Sequence, residues 1–326
     1  RIVYKETIGN VVEGVGHFEP LRHYAEVHLL LEPGERGSGL VYRSECSEDI
    51  LSKNWQRLIL THLGEKAHKG VLTGSDITDI KITLVSGRAH NKHTEGGDFR
   101  EATYRAVRQG LKEAESILLE PYYAFQLEVP EKMVGRAMTD IEKMHGTSEI
   151  SRIDSGMAVL VGSAPVINMR NYQREVLAYT KGLGRLFCSL KGYEPCHNAQ
   201  EVIDSIGYDS ERDVDNPTGS VFCAQGAGFL VEWHEVKNYM HIESFLQQSN
   251  EGLSSPEYKL YSEERSISLE EIDQILSRTF YANQGKKEAW KRQKTYYGDS
   301  RETTFNVGKP KEAKEEYLLV DGYNII

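Results

Sequence analysis

Between Tyr122 and Tyr193 the residues group into six elements in an order that few folds accept. They read as strand 122–129, helix 131–144, strand 148–154, strand 157–163, helix 169–180 and strand 185–193. Pro130, Gly146, the Ser155-Gly156 pair and Gly182 with Gly184 punctuate them as turns. A β-α-β-β-α-β order is the split β-α-β of a ferredoxin-like fold, so this stretch is expected to form its own domain. Residues 195–235 append a helix and a glycine-bearing segment, read as an extension of that domain.

The residues before it form a second α/β unit. Residues 22–31 alternate as a half-buried strand, with Tyr24, Glu26 and His28 on one face and Ala25, Val27 and Leu29 on the other. Residues 39–46 form another strand after the Pro33-Gly34 turn, and Leu51, Trp55, Leu58, Ile59 and Leu63 recur at helical spacing. Residues 77–85 return to strand, and 86–97 (SGRAHNKHTEGG) are a polar loop. Asp98, with Glu101 three residues later, opens a helix running to about Ser116. Phe99, Ala102, Ala106, Gly110 and Ala114 make one stripe of that helix, and Glu101, Tyr104, Arg105, Arg108 and Lys112 another, mostly basic one.

With 326 residues the chain is long enough for two or three domains, and 39% hydrophobic residues exclude wholesale disorder. No apolar run approaches the ~18 residues of a membrane helix. The four cysteines lack any Cys-x-x-Cys pair, which fits free thiols in a reducing cytoplasm. The formal net charge of −10 argues against an ordinary nucleic-acid binder, yet residues 81–112 hold seven Lys or Arg against three acids. A basic element therefore sits on an acidic body.

Several motifs have bland readings. Gly14-Val15-Gly16 precedes a strand instead of opening a helix, so it reads as a turn and not a dinucleotide site. No phosphate-binding Gly-x-x-x-x-Gly-Lys-Ser/Thr run occurs, and Asn91-Lys92-His93-Thr94 lacks the acid of a guanine-reading motif. His90 and His93, with Glu95 or Asp98, are spaced too loosely in a loop to define a metal site, and they suit phosphate contact better. Cys196 beside His197 reads as structural. Beyond Val236 come a helix over 237–247, an amphipathic helix beginning at Ser268, a basic run and a charged linker.

Four motifs occur in a telling order: Tyr4-Lys5-Glu6-Thr7, the run from Gly70-Val71-Leu72-Thr73-Gly74-Ser75-Asp76 to Leu84, Asp98-Phe99-Arg100, and Leu119-Glu120-Pro121-Tyr122. Together they resemble the C-terminal half of elongation-factor-G-like translational GTPases, with the tetracycline-resistance ribosomal protection branch as the nearest. The resemblance spans about residues 1–235. It implies an α+β class: a ribosomal-protein-S5-like fourth domain over 1–116, a ferredoxin-like fifth domain over 117–235, and a helical, charged linker over 236–316. The GTPase, barrel and third domains would precede Arg1, with GTP and Mg bound there. This chain itself is then expected to hold no cofactor, no metal and no catalytic residue.

The implied partner is the ribosome, mainly small-subunit rRNA, in the cytoplasm, with no membrane and no DNA. The resemblance places tip loops at 14–19 and 87–93, so Gly16, His17, Arg88, His90, Asn91, Lys92 and His93 are expected to contact rRNA, joined by Arg105, Arg108 and Lys112 of the basic face. Drug-displacing members carry an apolar, proline-bearing second loop, where this chain has Asn91-Lys92-His93. A general translation factor without drug-resistance activity is therefore an alternative. Residues 317–326 are similar to the first strand of NYN-type, PIN-like ribonuclease domains, with Asp321 at the acidic position. That similarity implies a second alternative, part of a metal-dependent ribonuclease, in a chain read as one piece of a longer protein.

Overall fold

In the computed structural model, which describes residues 2–246, the strand patterning resolves into two sheets. The first part of the chain contributes β1 (Lys5–Ile8), β2 (Val12–Phe18), β3 (Ala25–Pro33), β4 (Leu40–Ser44), α1 (Lys53–Gly64), β5 (Ile80–Ala89) and α2 (Gly96–Glu113). The second contributes β6 (Ser116–Pro130), α3 (Val134–Lys143), β7 (Thr147–Asp154), β8 (Met157–Pro165), the short α4 (Val166–Met169), α5 (Tyr172–Tyr179) and β9 (Arg185–Pro195). Then follow α6 (Ala199–Ile206), β10 (Ser220–Ala224) and β11 (Ala227–Val231).

In the second sheet, β6 pairs antiparallel with both β8 and β9, and β7 closes the far edge against β8. This is the strand arrangement that the β-α-β-β-α-β order requires. Ala137 and Ile141 of α3 and Tyr172 and Val176 of α5 bury against Phe125, Leu127, Val129 and Leu160 on one face of it. The domain border is less clean than the sequence suggests, because β1 pairs with the start of β6, Lys5 opposite Leu119. Glu6 on β1 is buried and ties the 72–75 loop, accepting the Leu72 and Thr73 N–H groups at 2.9 and 2.8 Å.

The first sheet has the order β11-β10-β2-β3-β5-β4. One face packs on α1 and α2, where Ala25, Val27, Leu29 and Leu31 meet Ile59, Leu63, Phe99, Ala102 and Ala106. Burying each valine, leucine, isoleucine or phenylalanine of this core stabilises by roughly 1.5–3 kcal/mol. Gly14 and Gly16 lie on this same face, inside β2. A Cβ on Gly16 would run into the Ala102 carbonyl oxygen and the Ala106 nitrogen, and one on Gly14 into the Ala106 carbonyl oxygen. The Gly-x-Gly spacing is therefore a close strand-to-helix approach, and the turn read from the sequence at Gly14 to Gly16 is replaced by a strand.

The other face departs further from expectation. Residues 220–246 leave the second domain and join the first: β10 runs parallel to β2, and Val15, Phe222, Val231 and Val236 form a small apolar cluster on β2's outer side. They cover what would be an open sheet edge. The helix expected over 237–247 does not form across 237–244, and among its described residues Phe245 and Leu246 alone are helical. A 3-10 turn spans Val236–Asn238, and backbone N–H groups beyond it turn to buried carboxylates instead: those of His241 and Ile242 donate to Glu26, those of Phe245 and Leu246 to Glu13. The amphipathic helix at Ser268, the 247–316 part of the linker, the nuclease-like residues 317–326 and Asp321 lie outside the described residues.

Candidate nucleic-acid interface

Three connections meet at one end of the first sheet. The β2–β3 turn (residues 19–24) and the β5–α2 loop (residues 90–95) are joined where Thr94 Oγ1 donates to the Tyr24 carbonyl at 2.6 Å. The β10–β11 turn lies at the same end, since β10 runs parallel to β2, and it carries Gln225 and Gly226 with positive φ. The 90–95 loop is internally braced. The His90 N–H donates to Thr94 Oγ1 at 2.7 Å, the Lys92 N–H to His90 Nδ1 at 3.2 Å, and the His90 and His93 rings stack at 4.6 Å. Helix α2 is closed by a capping contact one turn earlier than its sequence signal: the Glu95 N–H donates to Asp98 Oδ2 at 2.8 Å. The second Asp98 oxygen meets His23 at 2.9 Å, which fastens the two loops together.

Of the residues expected to touch RNA, Arg88, His90, Asn91, Lys92 and His93 are all on this tip and largely open to solvent. Among the described residues, neither Arg88 nor Lys92 has a carboxylate within ion-pair distance. Lys92 on the projecting loop and Arg88 at the end of β5 are long, solvated cations, the arrangement that phosphate contacts use. The sequence reading missed Leu21 and Arg22, whose turn shares the tip; Arg22 has φ 68°, and Leu21 is 59% exposed. Residues 19–24 thus occupy the place expected for 14–19.

The remaining expected contacts are turned inward. Gly16 and His17 are buried within β2. The His17 ring stacks on Phe222 at 4.1 Å, with Nδ1 3.1 Å from Glu26 and Nε2 3.0 Å from Glu19. Arg105 lies over the Phe18 ring and pairs with Glu101. Arg108 is only 3% exposed and donates to the carbonyls of Lys69, Gly70 and Asn216 at 2.6, 2.8 and 3.1 Å and to the Tyr208 hydroxyl at 2.5 Å. Lys112 meets Glu211 at 2.7 Å and lies over the Trp233 ring. The basic face of α2 is thus neutralised by Glu101 at Arg105 and by the acidic 208–217 segment at Arg108 and Lys112, and does not meet solvent as a stripe. Burial and the Asp213 carboxylate push Tyr208 up to about 12, so it remains a neutral bridge between Arg108 and Asp213.

The outer face of β2 and β3 holds a buried ionic cluster that the alternation did not announce as buried. His28 lies 2.8 Å from Glu13 and 3.1 Å from Glu26, both carboxylates fully buried. Burial opposes the Glu13 charge, but hydrogen bonds from His28, Ser244 and the Phe245 N–H outweigh it and hold its carboxyl down to about 2. Burial likewise opposes the charge on His28, and its two carboxylate partners prevail, raising it. The cluster is an ionised, hydrogen-bonded clasp on residues 241–246.

Residues 1–115 match the family described as Elongation factor G, domain IV, and residues 117–202 the family described as Elongation factor G C-terminus. Residues 1–115 and 117–202 therefore have the folds of elongation factor G domain IV and of its C-terminal domain. The tetracycline resistance protein TetP of Clostridium perfringens is 31% identical over 194 residues, which are 59% of this chain and 30% of TetP. A crystal structure of a Thermus thermophilus protein shares the fold at a TM-score of 0.57 and 24% identity, over 64% of this chain and 32% of its own. The match thus spans about a third of the length of each of these relatives. No helix among the described residues is long and apolar enough to cross a membrane.

Proposed function

We propose that this chain is the ribosome-docking C-terminal part of a translational GTPase of the ribosomal protection type, and that its tip meets small-subunit rRNA through Arg88, His90, Asn91, Lys92 and His93. The observation that carries this reading is the pair of solvated cations at one end of a domain-IV-type sheet, Arg88 at the end of β5 and Lys92 on the braced loop that follows. The likeness to a protein named for tetracycline resistance supports the same class. A tip of Asn91, Lys92 and His93 suits phosphate and base-edge hydrogen bonds more than apolar stacking, and this favours a general translation-factor role as the second reading.

Binding governed by phosphate contacts releases counterions and weakens with salt. In co-sedimentation with purified small ribosomal subunits across a salt series, the Arg88→Ala/Lys92→Ala variant is expected to bind less tightly. Its log affinity should also fall less steeply with log salt, the slope changing by about 2, one for each lost phosphate contact. An unchanged slope and affinity would remove the tip from the interface. Arg108→Ala makes a useful contrast, since its guanidinium is engaged inside the chain: its loss should lower stability without altering the salt slope.

A further inference from the structure

Beside the tip, one juxtaposition in the buried cluster needs more than a neutral imidazole to satisfy it. His17 is fully buried and its ring is fixed against Phe222, yet both its nitrogens face carboxylates: Nδ1 is 3.1 Å from Glu26 Oε2 and Nε2 is 3.0 Å from Glu19 Oε2. A neutral imidazole has one N–H. With that proton shared with the buried Glu26, the Nε2 lone pair is aimed at an anionic oxygen, and the contact calls for a second proton or a cation between them.

A third donor is present. Ligand atoms of His17, Glu19 and His241 all lie within 4.8 Å of one another. His241 is held by the Tyr24 hydroxyl, which is 2.9 Å from its Nδ1, and it approaches the His17 ring edge-on at 5.0 Å. We propose that His17, Glu19 and His241 form a site for a divalent transition-metal cation of the zinc class, which fastens residues 241–246 to the first domain next to its tip.

Four features favour a metal over a simple polar contact. Two imidazoles and one carboxylate are the donor set of open zinc sites, whereas calcium and magnesium prefer oxygen donors throughout. Glu26, buried behind His17, occupies the position of the carboxylate that orients a metal-bound histidine and fixes its tautomer. Glu13, Glu19 and Glu26 gather three carboxylates around His17 and His28, so an added cation offsets negative charge in a low-dielectric setting. Access is available through a surface cavity of about 720 Å³ lined by Glu19, Tyr24, Arg88, Lys92 and His241. The other Glu/Cys/His grouping among the described residues, Glu120 with Cys196 and His197, lacks such an unexplained contact, because Glu120 Oε1 accepts both the His197 N–H at 2.8 Å and its ring at 2.6 Å.

The test is calorimetric titration of the full chain with zinc chloride after chelator treatment, with cobalt(II) as a spectroscopic probe. One zinc per chain is expected, with cobalt giving visible absorption typical of tetrahedral nitrogen and oxygen coordination. Glu19→Gln and His241→Ala, each at a partly exposed position, should separately weaken zinc binding by at least tenfold with unchanged far-UV circular dichroism. Zinc should also slow amide exchange of residues 241–246 in the wild type and not in His241→Ala. No stoichiometric zinc uptake overturns the site. So does uptake that survives both variants and disappears instead in His90→Ala/His93→Ala or in Cys196→Ser. Since none of these measurements uses ribosomes, their outcome is independent of the docking assignment.

Discussion

Replacing Gly16 by Ala is expected to lower the unfolding free energy of the first domain by about 3 kcal/mol, the upper end of overpacking effects in cores. The reason is that the added methyl meets backbone atoms, the Ala102 oxygen and Ala106 nitrogen of α2, and not the flexible end of a side chain. Relief requires α2 to move away from β2, which also strips contacts from Phe99 and Ala106 in the core. Urea unfolding followed by the fluorescence of Trp55, which packs on Phe99 with ring centroids 5.1 Å apart, reports this transition. Gly97→Ala is the matched control, because nothing lies within 4 Å of its Cβ and it sits in the first turn of α2; it should be neutral or stabilising by up to ~1 kcal/mol. The pair also separates two roles for the glycine-rich segment. A glycine at an RNA-contacting tip would accept alanine without loss of stability and show its cost in ribosome affinity, whereas a packing glycine shows the reverse.

What the sequence made legible, and what it hid, follows from the range over which each signal acts. The β-α-β-β-α-β order and the strand and helix periods of the first 116 residues are local, and the sheets built from them appear where the periods place them. The tip residues were legible for the same reason, as a polar loop between a strand and a capped helix. The buried contacts were not local. Arg108 reads as a surface cation until Tyr208 and the Asn216 carbonyl, about a hundred residues away, close over it. Glu26 and His28 alternate with Ala25 and Val27 just as a solvated strand face would, and Glu13 and His17 of β2 together with the return of residues 241–246 close over this face. Gly14 and Gly16 gave a signal of a third kind. Two glycines spaced by one residue mark either a turn or a strand pressed on a helix, and the small stripe Ala102, Ala106 and Gly110 on α2 was the partner that could have decided between them.

Glu13→Gln is expected to cost about 3 kcal/mol near neutral pH, because it breaks a fully buried ionic contact to His28 and weakens the anchoring of Ser244, Phe245 and Leu246. The pH dependence follows from two opposite shifts. The Glu13 carboxyl is held at about 2, below its ordinary 4.5, so its contribution is fully present above about pH 4.5 and is lost as pH falls toward 2. His28 is raised above its ordinary 6.5, so its contribution is fully present below that value and is lost as pH rises through the raised one. The wild-type clasp should therefore be strongest between about pH 5 and 6.5, and the penalty of Glu13→Gln should shrink to roughly 1 kcal/mol near pH 3. Urea midpoints at pH 3, 5.5 and 8.5 for the two proteins measure this directly, and a penalty that is flat across the three would show that Glu13 acts by shape and not by charge. Limited proteolysis adds a local reading: cleavage within 241–246 should accelerate in the variant at pH 5.5, where the intact clasp is tightest, while the ferredoxin-like sheet, which shares none of these carboxylates, keeps its resistance.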